Sequence, residues 1–271
     1  MTQTTARSRW LAAGIFAVAL MVLGSVGWAE SSDEAAEAAQ ADKLPTFSEI
    51  MEKVDDLYRS TSSHATVTMT VEKPRNTREL KMEMWTKGED YALVVIREPA
   101  REEGTATLRT PDGLWNYAPR ADRLIRIPSG LLSENWMGSH FTNDDLMRET
   151  NYDTDYKGTV ERDEKDGDTM LKVTLTPRPD TPVVYSKMVF WVKPGTWVPV
   201  RQEFYDDGEV VRTMRFSDLE KVNGRMIPMK LVVRPTGEDD ERTEMVYEDL
   251  EFDVDVDDQM FSRRGLRRVA K

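Results

Sequence analysis

Regular alternation of apolar and polar residues constrains the fold of this chain more than any other feature. In residues 66–72, 80–84 and 171–175, every second side chain is apolar and those between are polar. Successive side chains of a β-strand point to opposite faces of a sheet. This period of two therefore predicts antiparallel strands with one apolar face and one face in water.

Turn sequences rich in glycine, proline, asparagine and aspartate separate the alternating runs. They lie at residues 87–90, 111–113, 166–168, 193–195, 206–208 and 223–224. We count about ten or eleven strands by this criterion. Their regular spacing predicts one large, strongly curved antiparallel sheet.

Three segments depart from the strand pattern. Residues 45–59 carry apolar side chains at helical spacing, which predicts an amphipathic helix. Residues 129–152 have large apolar groups without a period of two, and Thr142 followed by Asp145 is typical of a helix start. Residues 257–261 predict a short helical turn. The first two are the only long segments available to cover the apolar face of the sheet.

The first 29 residues have the layout of a cleavable signal peptide. Arg7 and Arg9 precede an uncharged apolar run, residues 10–23, and small residues follow it up to Ala29. This order predicts export to the periplasm with cleavage after Ala29. The alternative is a retained membrane anchor, since the apolar run approaches the length that spans a bilayer.

Composition divides the rest of the chain into two parts. Residues 30–43 are rich in alanine and acidic residues with almost no large apolar groups, which predicts a disordered linker. Residues 44–271 contain no internal repeat and no second break in composition, so we predict a single domain there.

Charge and cysteine content exclude several classes of function. The net charge is -12 at pH 7, which is the wrong sign for a protein that binds nucleic acid. The chain has no cysteine, which excludes disulfides, thiol catalysis and cysteine-ligated zinc. The basic C-terminal tail predicts a solvated end, with contact to anionic lipid headgroups or a partner as the alternative. Its basic residues are Arg263, Arg264, Arg267, Arg268 and Lys271.

Candidate catalytic and metal-binding groups are few. His64 and His140 are the only histidines, which argues against a histidine-based triad or a multi-histidine metal site. The acidic residues between 144 and 155 lack the spacing of a calcium-binding loop, and helix capping accounts for the first of them. We predict no catalytic residue, no metal and no cofactor.

Specific residue strings connect the chain to a known family. Residues 112–119 read DGLWNYAP, residues 123–127 read RLIRI, and residues 136–146 read WMGSHFTNDDL. In these strings and in the order of its elements, the chain resembles the outer-membrane lipoprotein-sorting family, the LolA-like and LolB-like periplasmic carriers. His140 departs from the acidic residue expected at that position.

The resemblance implies a mainly β fold with a few helices (α+β). In such a fold the curved antiparallel sheet forms an incomplete β-barrel, and helices plug its concave apolar side. It also implies an apolar cavity that shields acyl chains. The 15 methionines fit a surface that accepts cargo of variable shape, since a thioether side chain is flexible. The alternative is that the methionines fill a closed core.

Candidate ligand-binding residues follow from the strand pattern and from the 131–141 segment. The apolar phase of the strands contributes cavity residues, and the non-strand segment, with Gly138 as a pivot, contributes a lid over the cavity mouth. The cavity residues are Leu80, Met82, Met84 and Leu175, and the lid residues are Leu132, Trp136, Met137 and Phe141.

These observations predict a non-enzymatic periplasmic carrier or chaperone for lipoprotein acyl chains or another lipid in outer membrane biogenesis. We expect a monomer that works with an inner-membrane transporter and binds no nucleic acid. The alternative function is an accessory subunit that docks to such a transporter without carrying lipid. A hydrolase is a more distant third candidate.

Overall fold

The computed structural model describes residues 43–58, 60–147, 152–165, 168–179, 181 and 183–270. The predicted signal peptide, and the predicted linker apart from Lys43, lie outside the described residues. Among the helices that are described, none combines the length and apolar character needed to cross a bilayer.

Within these described residues, thirteen strands form one antiparallel sheet. The strands are β1 Ser62–Lys73, β2 Asn76–Lys87, β3 Tyr91–Glu98, β4 Ala106–Thr110, β5 Gly113–Ala118, β6 Arg123–Arg126, β7 Tyr156–Lys165, β8 Asp168–Pro177, β9 Lys187–Val192, β10 Pro199–Asp206, β11 Glu209–Val222, β12 Arg225–Pro235 and β13 Arg242–Phe252. The α-helices among the described residues are α1 Phe47–Tyr58, α2 Asn143–Met147, α3 Tyr152–Asp155 and α4 Arg263–Val269. Short 3₁₀ helices lie at Pro119–Ala121, Ser129–Leu131, Trp136–Gly138 and Asp258–Phe261.

The strand order consists of two meanders that meet in the middle of the sheet. The order is β6-β5-β4-β3-β2-β1-β13-β12-β11-β10-β9-β8-β7. The chain runs outward from β1 to one edge at β6, restarts at the other edge with β7, and returns inward until β13 pairs with β1. The predicted single antiparallel sheet is therefore confirmed. Because β6 and β7 remain as edges, the sheet is not closed into a barrel.

Local turn chemistry sets the register of the hairpins. Asn223 and Gly224 join β11 to β12 with φ angles of 47° and 85°. Two residues with positive φ form the tight hairpin turn that matches the twist of the flanking strands. The predicted turn at 223–224 is thus confirmed, and it fixes which residues of β11 and β12 lie opposite each other.

One face of the sheet carries the largest apolar cluster. On β1, Val67, Met69 and Val71 are buried while the threonines between them are half-buried, as the alternation predicts. We call this set and its buried neighbours the main cluster. It includes buried residues from β1, β2, β3, β8, β9, β10, β11, β12 and β13, and from helix α1.

Helix α1 packs closely against the sheet. Ile50, Met51 and Val54 belong to the main cluster, which explains the helical spacing of the apolar residues. A Cβ atom added to Gly158 of β7 would meet the ring of Phe47, so the absence of a side chain allows the helix to approach the strand. The predicted helix at 45–59 is observed over Phe47–Tyr58.

A second cluster covers the opposite face of strands β3, β4 and β5. Leu93, Leu108 and Tyr117 pack there against Phe261 and Leu266 of the C-terminal segment.

Strand β3 is therefore buried on both faces, since Val94 and Ile96 belong to the main cluster. Burial on both faces removes the alternation from residues 93–96 and from much of β9. The sequence predicts about ten or eleven strands, and thirteen are observed in the described residues.

The predicted solvated C-terminal tail is wrong in part. The short helical turn predicted at 257–261 is confirmed by a 3₁₀ helix, but the chain then continues as helix α4. Leu266 has no exposed surface, whereas Arg263, Arg264 and Arg268 are exposed. Leu266 and Ala270 are buried in the second cluster and Val269 packs against it, so the apolar side of this otherwise charged helix holds it on the sheet.

The packing of α4 generates a stability prediction. We expect Leu266→Ala to lower the free energy of unfolding by about 3 kcal/mol, because it leaves a cavity in the second cluster. The control Arg264→Ala, on the exposed side of the same helix, should change it by less than about 0.5 kcal/mol. Urea denaturation followed by tryptophan fluorescence measures both. Equal losses would show that α4 is not held by its apolar contact.

Candidate functional site

The chain between β6 and β7 must travel from one edge of the sheet to the other. We call residues 127–155 the crossing segment, of which 148–151 lie outside the described part. A connection between opposite edges has to pass over one face of the sheet. Trp136 and Phe141 are buried in the main cluster, so the crossing segment passes over the same face that packs against helix α1.

A tight loop carries the two aromatic anchors of the crossing segment. The backbone N–H of Trp136 donates to the carbonyl oxygen of Phe141 at 2.7 Å. Met137 and Gly138 turn the chain with φ angles of 51° and 70°. The indole N–H of Trp136, which is only 1% exposed, donates to the hydroxyl oxygen of Thr107 at 3.0 Å. The loop thus satisfies its own polar groups while it places two aromatic rings in the apolar interior.

Three arginines on the sheet donate to backbone carbonyl oxygens of the crossing segment. Arg78 Nη1 lies 2.6 Å from the Met137 oxygen, and Arg212 Nη1 lies 3.0 Å from the His140 oxygen. Arg109 Nη1 lies 3.5 Å from the oxygen of Leu146. We call these three side chains the arginine clamp. They come from β2, β11 and β4, so the clamp holds the segment to both halves of the sheet.

Arg212 also forms a buried bidentate ion pair. Its Nη1 and Nη2 atoms lie 2.7 and 2.6 Å from the two carboxylate oxygens of Asp145. Its guanidinium carbon lies 3.9 Å from the ring centroid of Phe204. Burial opposes the charge of this arginine, but the hydrogen bond and attraction to Asp145 outweigh that effect and raise the pKa of Arg212. Arg212 is therefore charged, and its bidentate contact with Asp145 fixes the geometry of the segment.

The start of helix α2 shows why Asp145 can serve this pair. The backbone N–H of Asp145 donates to the Thr142 hydroxyl at 3.2 Å, and the Oδ2 atom of Asp145 accepts from the backbone N–H of Thr142 at 2.7 Å. The predicted capping pair of Thr142 and Asp145 is confirmed. In the described part of the chain, no three acidic or histidine residues come together as ligands for a metal ion.

His140 is held by polar neighbours on strand β13 and beside it. Its Nδ1 atom lies 2.9 Å from the Thr243 hydroxyl, and its Nε2 atom lies 2.9 Å from a carboxylate oxygen of Glu241. The adjacent Ser139 hydroxyl donates to the carbonyl oxygen of Trp136 at 2.7 Å. These contacts tie the centre of the crossing segment to the sheet. The Ser139 hydroxyl is directed at backbone and not at the His140 ring.

The structure brings most of the predicted site residues into one place. Five of them are buried in the main cluster: Leu80, Met82, Trp136, Phe141 and Leu175. Met84 and Met137 are partly buried and pack against it. Leu132 is half-buried and belongs to none of the apolar clusters formed by the described residues. Its backbone oxygen instead accepts a hydrogen bond from Asp144. The binding roles of all eight residues stay predictions.

The arginine clamp was not predicted from the sequence, although the strand pattern contains a signal for it. Arg78 lies two residues before Leu80, and Arg212 lies two residues before Met214, which is also in the main cluster. Each arginine therefore occupies the apolar phase of its strand. A charged side chain at a predicted core position indicates a buried partner, because an unpaired buried charge is costly.

A separate cavity lies on the opposite face of the sheet. Its volume is about 510 Å³, and aromatic, polar and charged side chains line it. The lining residues are Tyr91, Leu108, Thr110, Pro111, Asp112, Trp115, Phe261, Ser262 and Arg263. This cavity lies beside helix α4 and not within the main cluster.

The buried ion pair generates a prediction about stability. We expect Arg212→Met and Asp145→Asn each to lower the free energy of unfolding by about 3 kcal/mol, because each leaves an uncompensated buried charge. The double variant should lose much less than the sum. Urea denaturation of the four proteins of this mutant cycle gives the coupling energy.

The exposed ion pair between Arg268 and Asp257 provides the control. Its side chains are 60% and 55% exposed, so the coupling energy from Arg268→Met and Asp257→Asn should be below about 1 kcal/mol. A coupling energy for Arg212 and Asp145 as small as this would contradict the importance of the buried pair.

Comparisons with known proteins identify a matching family and similar structures. A family model with the description "uncharacterized protein" matches residues 88–268. No curated protein matches the chain by sequence. The structure is similar to an outer membrane lipoprotein-sorting protein domain from Vibrio parahaemolyticus, with a TM-score of 0.73 and 22% identity over 81% of this chain and 97% of that chain.

Two further solved structures have the same fold. A DUF1329 family protein from Desulfovibrio piger has a TM-score of 0.74 and 24% identity over 80% of this chain and 96% of its own. A LolA superfamily protein from Nitrosomonas europaea has a TM-score of 0.68 and 25% identity over 81% of this chain and 98% of its own. With a family model that covers most of the chain, these similarities confirm the resemblance seen in the sequence. The chain belongs to the LolA-like family.

Proposed function

We propose that this protein is a periplasmic carrier that binds acyl chains of a lipoprotein, or another lipid, in an apolar interior for transport across the envelope. The similar domain from Vibrio parahaemolyticus is described as lipoprotein-sorting, which supports this class of cargo. In this proposal the sheet curves into an incomplete barrel, and helix α1 and the crossing segment plug its concave side. Binding and release need no catalysis.

The observation that carries the proposal is the way in which the crossing segment is held. It inserts Trp136 and Phe141 into the main cluster, but many of its other contacts to the sheet are hydrogen bonds of the arginine clamp and His140. Such bonds can exchange with water when the segment moves. The two aromatic side chains would then leave apolar surface that a lipid tail could cover in their place.

The composition of the main cluster supports cargo of variable shape. Its buried methionines come from helix α1 and five strands: Met51, Met69, Met82, Met188, Met214 and Met245. Thioether side chains change rotamer at low cost and adapt to irregular surfaces. Each methylene of a lipid that enters this interior gains about 0.8 kcal/mol, so cover for part of one acyl chain gives useful affinity.

The remaining parts of the proposal concern location and partners. We propose that residues 1–29 direct export and are removed after Ala29, that residues 30–43 are a linker, and that 44–271 is the carrier domain. Cargo in an inner membrane needs an extraction step, so an inner-membrane transporter is the proposed partner of the monomer. Detection of Met1 on membrane-bound protein by N-terminal analysis would contradict the cleavage.

In this proposal Trp136 and Phe141 cover the apolar interior, and we call them the cover. Removing either aromatic side chain should therefore speed the release of cargo. We expect Trp136→Ala and Phe141→Ala to increase the dissociation rate of a fluorescent fatty acid several-fold, because each weakens the cover without removing the clamp. Stopped-flow displacement by excess unlabelled fatty acid measures the rate. Leu131→Ala is the matched control, since this leucine of the same segment is 46% exposed. An equal effect in all three variants would contradict the proposed cover.

A charge introduced on the face of β2 that packs against the main cluster should block fatty-acid binding. We expect Met84→Asp to reduce fatty-acid affinity at least tenfold, because the carboxylate lies against the main cluster at a partly buried position. Lys81→Ser, on the other face of the same strand, should leave affinity unchanged. Fluorescence titration measures binding, and circular dichroism verifies that both variants are folded.

Lipids that co-purify with the protein test the proposal as a whole. Protein isolated without detergent is extracted and analysed by mass spectrometry, with the Met84→Asp variant treated in parallel. We expect stoichiometric lipid in the wild type and little in the variant. If neither native lipid nor probe binds, the carrier function is wrong and the docking subunit without cargo replaces it.

A further inference from the structure

Arginines are concentrated at one edge of the sheet. Residues 118–131 and 263–270 contain seven arginines and a single acidic residue, Asp122, although the whole chain carries a net charge of -12. The first range holds edge strand β6 and the second holds helix α4. We call the arginines without a carboxylate partner here the basic edge. They are Arg120, Arg123, Arg126, Arg263 and Arg264.

Contacts join helix α4 to one face of edge strand β6 and to the turn before it. Arg126 lies opposite Trp115 in the register of β5 and β6, with its guanidinium carbon 5.9 Å from the indole centroid. The guanidinium carbon of Arg263 lies 3.9 Å from the same ring. Arg267 reaches Asp122 at 3.0 Å, which joins α4 to the turn before β6. Arg126 therefore shares the α4 face of β6, whereas Arg123 and Ile125, at the alternate positions of the strand, project from its other face. The positive charge lies on both sides of the edge strand, so this edge of the sheet is the surface that a partner would meet.

The charge of the basic edge is available to a partner. Arg120, Arg123, Arg126, Arg263 and Arg264 are all exposed. Arg120, Arg123 and Arg264 form no ion pair with any residue in the described ranges of the chain. By contrast, Arg267 and Arg268 are already paired with aspartates. The acidic residue Asp112 lies beside these arginines and lines the neighbouring cavity.

Exposed aliphatic side chains accompany the free arginines. Ile125 of β6 is 53% exposed, and Leu131, in the turn that follows, is 46% exposed. Trp115 is half-buried between the edge strand and α4. Arginine beside tryptophan and protruding aliphatic groups is the composition of surfaces that lie at a membrane–water interface.

We propose that the basic edge docks on the surface of a bilayer that contains anionic lipids. An anionic surface attracts juxtaposed arginines, and the negative charge of the remaining chain orients the molecule with β6 and α4 toward the membrane. The protruding Ile125 and Leu131 side chains favour a lipid bilayer over an acidic protein, because they can enter the headgroup region. This docking is separate from cargo binding, since the arginines of the basic edge lie outside the main cluster.

Vesicle flotation tests the proposal directly. Protein recovered from the soluble envelope fraction of producing cells is mixed with vesicles of phosphatidylcholine, or of phosphatidylcholine with phosphatidylglycerol. We expect flotation with the anionic vesicles only. The variant Arg120→Glu/Arg123→Glu/Arg264→Glu should bind these vesicles at least about tenfold more weakly, because each arginine contributes to the attraction.

Charge reversal elsewhere provides the matched control. Lys157→Glu/Lys193→Glu/Lys221→Glu changes the net charge by the same amount at exposed positions on β7, β11 and the turn after β9. This variant should float like the wild type, and both variants should keep the wild-type melting temperature. Equal losses in the two variants would show that only net charge matters, which overturns the docking surface.

Two further measurements distinguish membrane docking from simple ion exchange: the dependence of vesicle binding on salt concentration, and the effect of replacing the exposed aliphatic side chains. Binding of the wild type should weaken as salt rises, since the Debye length shortens. Ile125→Ser/Leu131→Ser should lose most of the binding that remains at high salt. Flotation with neutral and anionic vesicles to the same extent overturns the proposal, as does capture by an acidic protein without any vesicle binding. Neither result depends on whether the protein carries lipid.

Discussion

The fold depends on how a polar backbone crosses an apolar face. Because β6 and β7 are opposite edges of the sheet, the chain between them must pass over one face, and its carbonyl groups need donors there. Arg78, Arg109 and Arg212 supply these donors from the sheet itself. Asp145 balances the charge of Arg212 within the same segment. These arginines can occupy otherwise apolar positions of their strands because each donates to a carbonyl oxygen of the crossing segment.

This arrangement links the two proposals through one stretch of chain. Residue 127, where the crossing segment starts, directly follows β6, the edge strand of the basic edge. Leu131 of the proposed membrane contact lies only a few residues before Trp136, an anchor of the crossing segment. The two proposed surfaces are neighbours along the chain, while the arginines of the basic edge lie outside the main cluster.

The sequence predicted the apolar face of the sheet correctly where the two faces of a strand differ in burial. Alternation in β1, β2 and β8 identified the face on which Met69, Met82 and Leu175 meet in the main cluster. Alternation is absent from β3 and from much of β9, which are covered on both faces and read as continuous apolar runs. The prediction for residues 263–270 was wrong in part, because a single leucine among four arginines is too weak a signal for a packed helix.

The sequence by itself determined the single antiparallel sheet, its apolar face, the tight turn at 223–224 and the capping pair of Thr142 and Asp145. Each of these depends on neighbours within a few residues, so a periodic pattern or a short motif records it. Only the tertiary structure decided that β1 pairs with β13, that Arg212 reaches Asp145 67 residues away, and that β6 lies beside α4. Such contacts depend on strand order, and no local preference of the chain encodes which distant segments will meet.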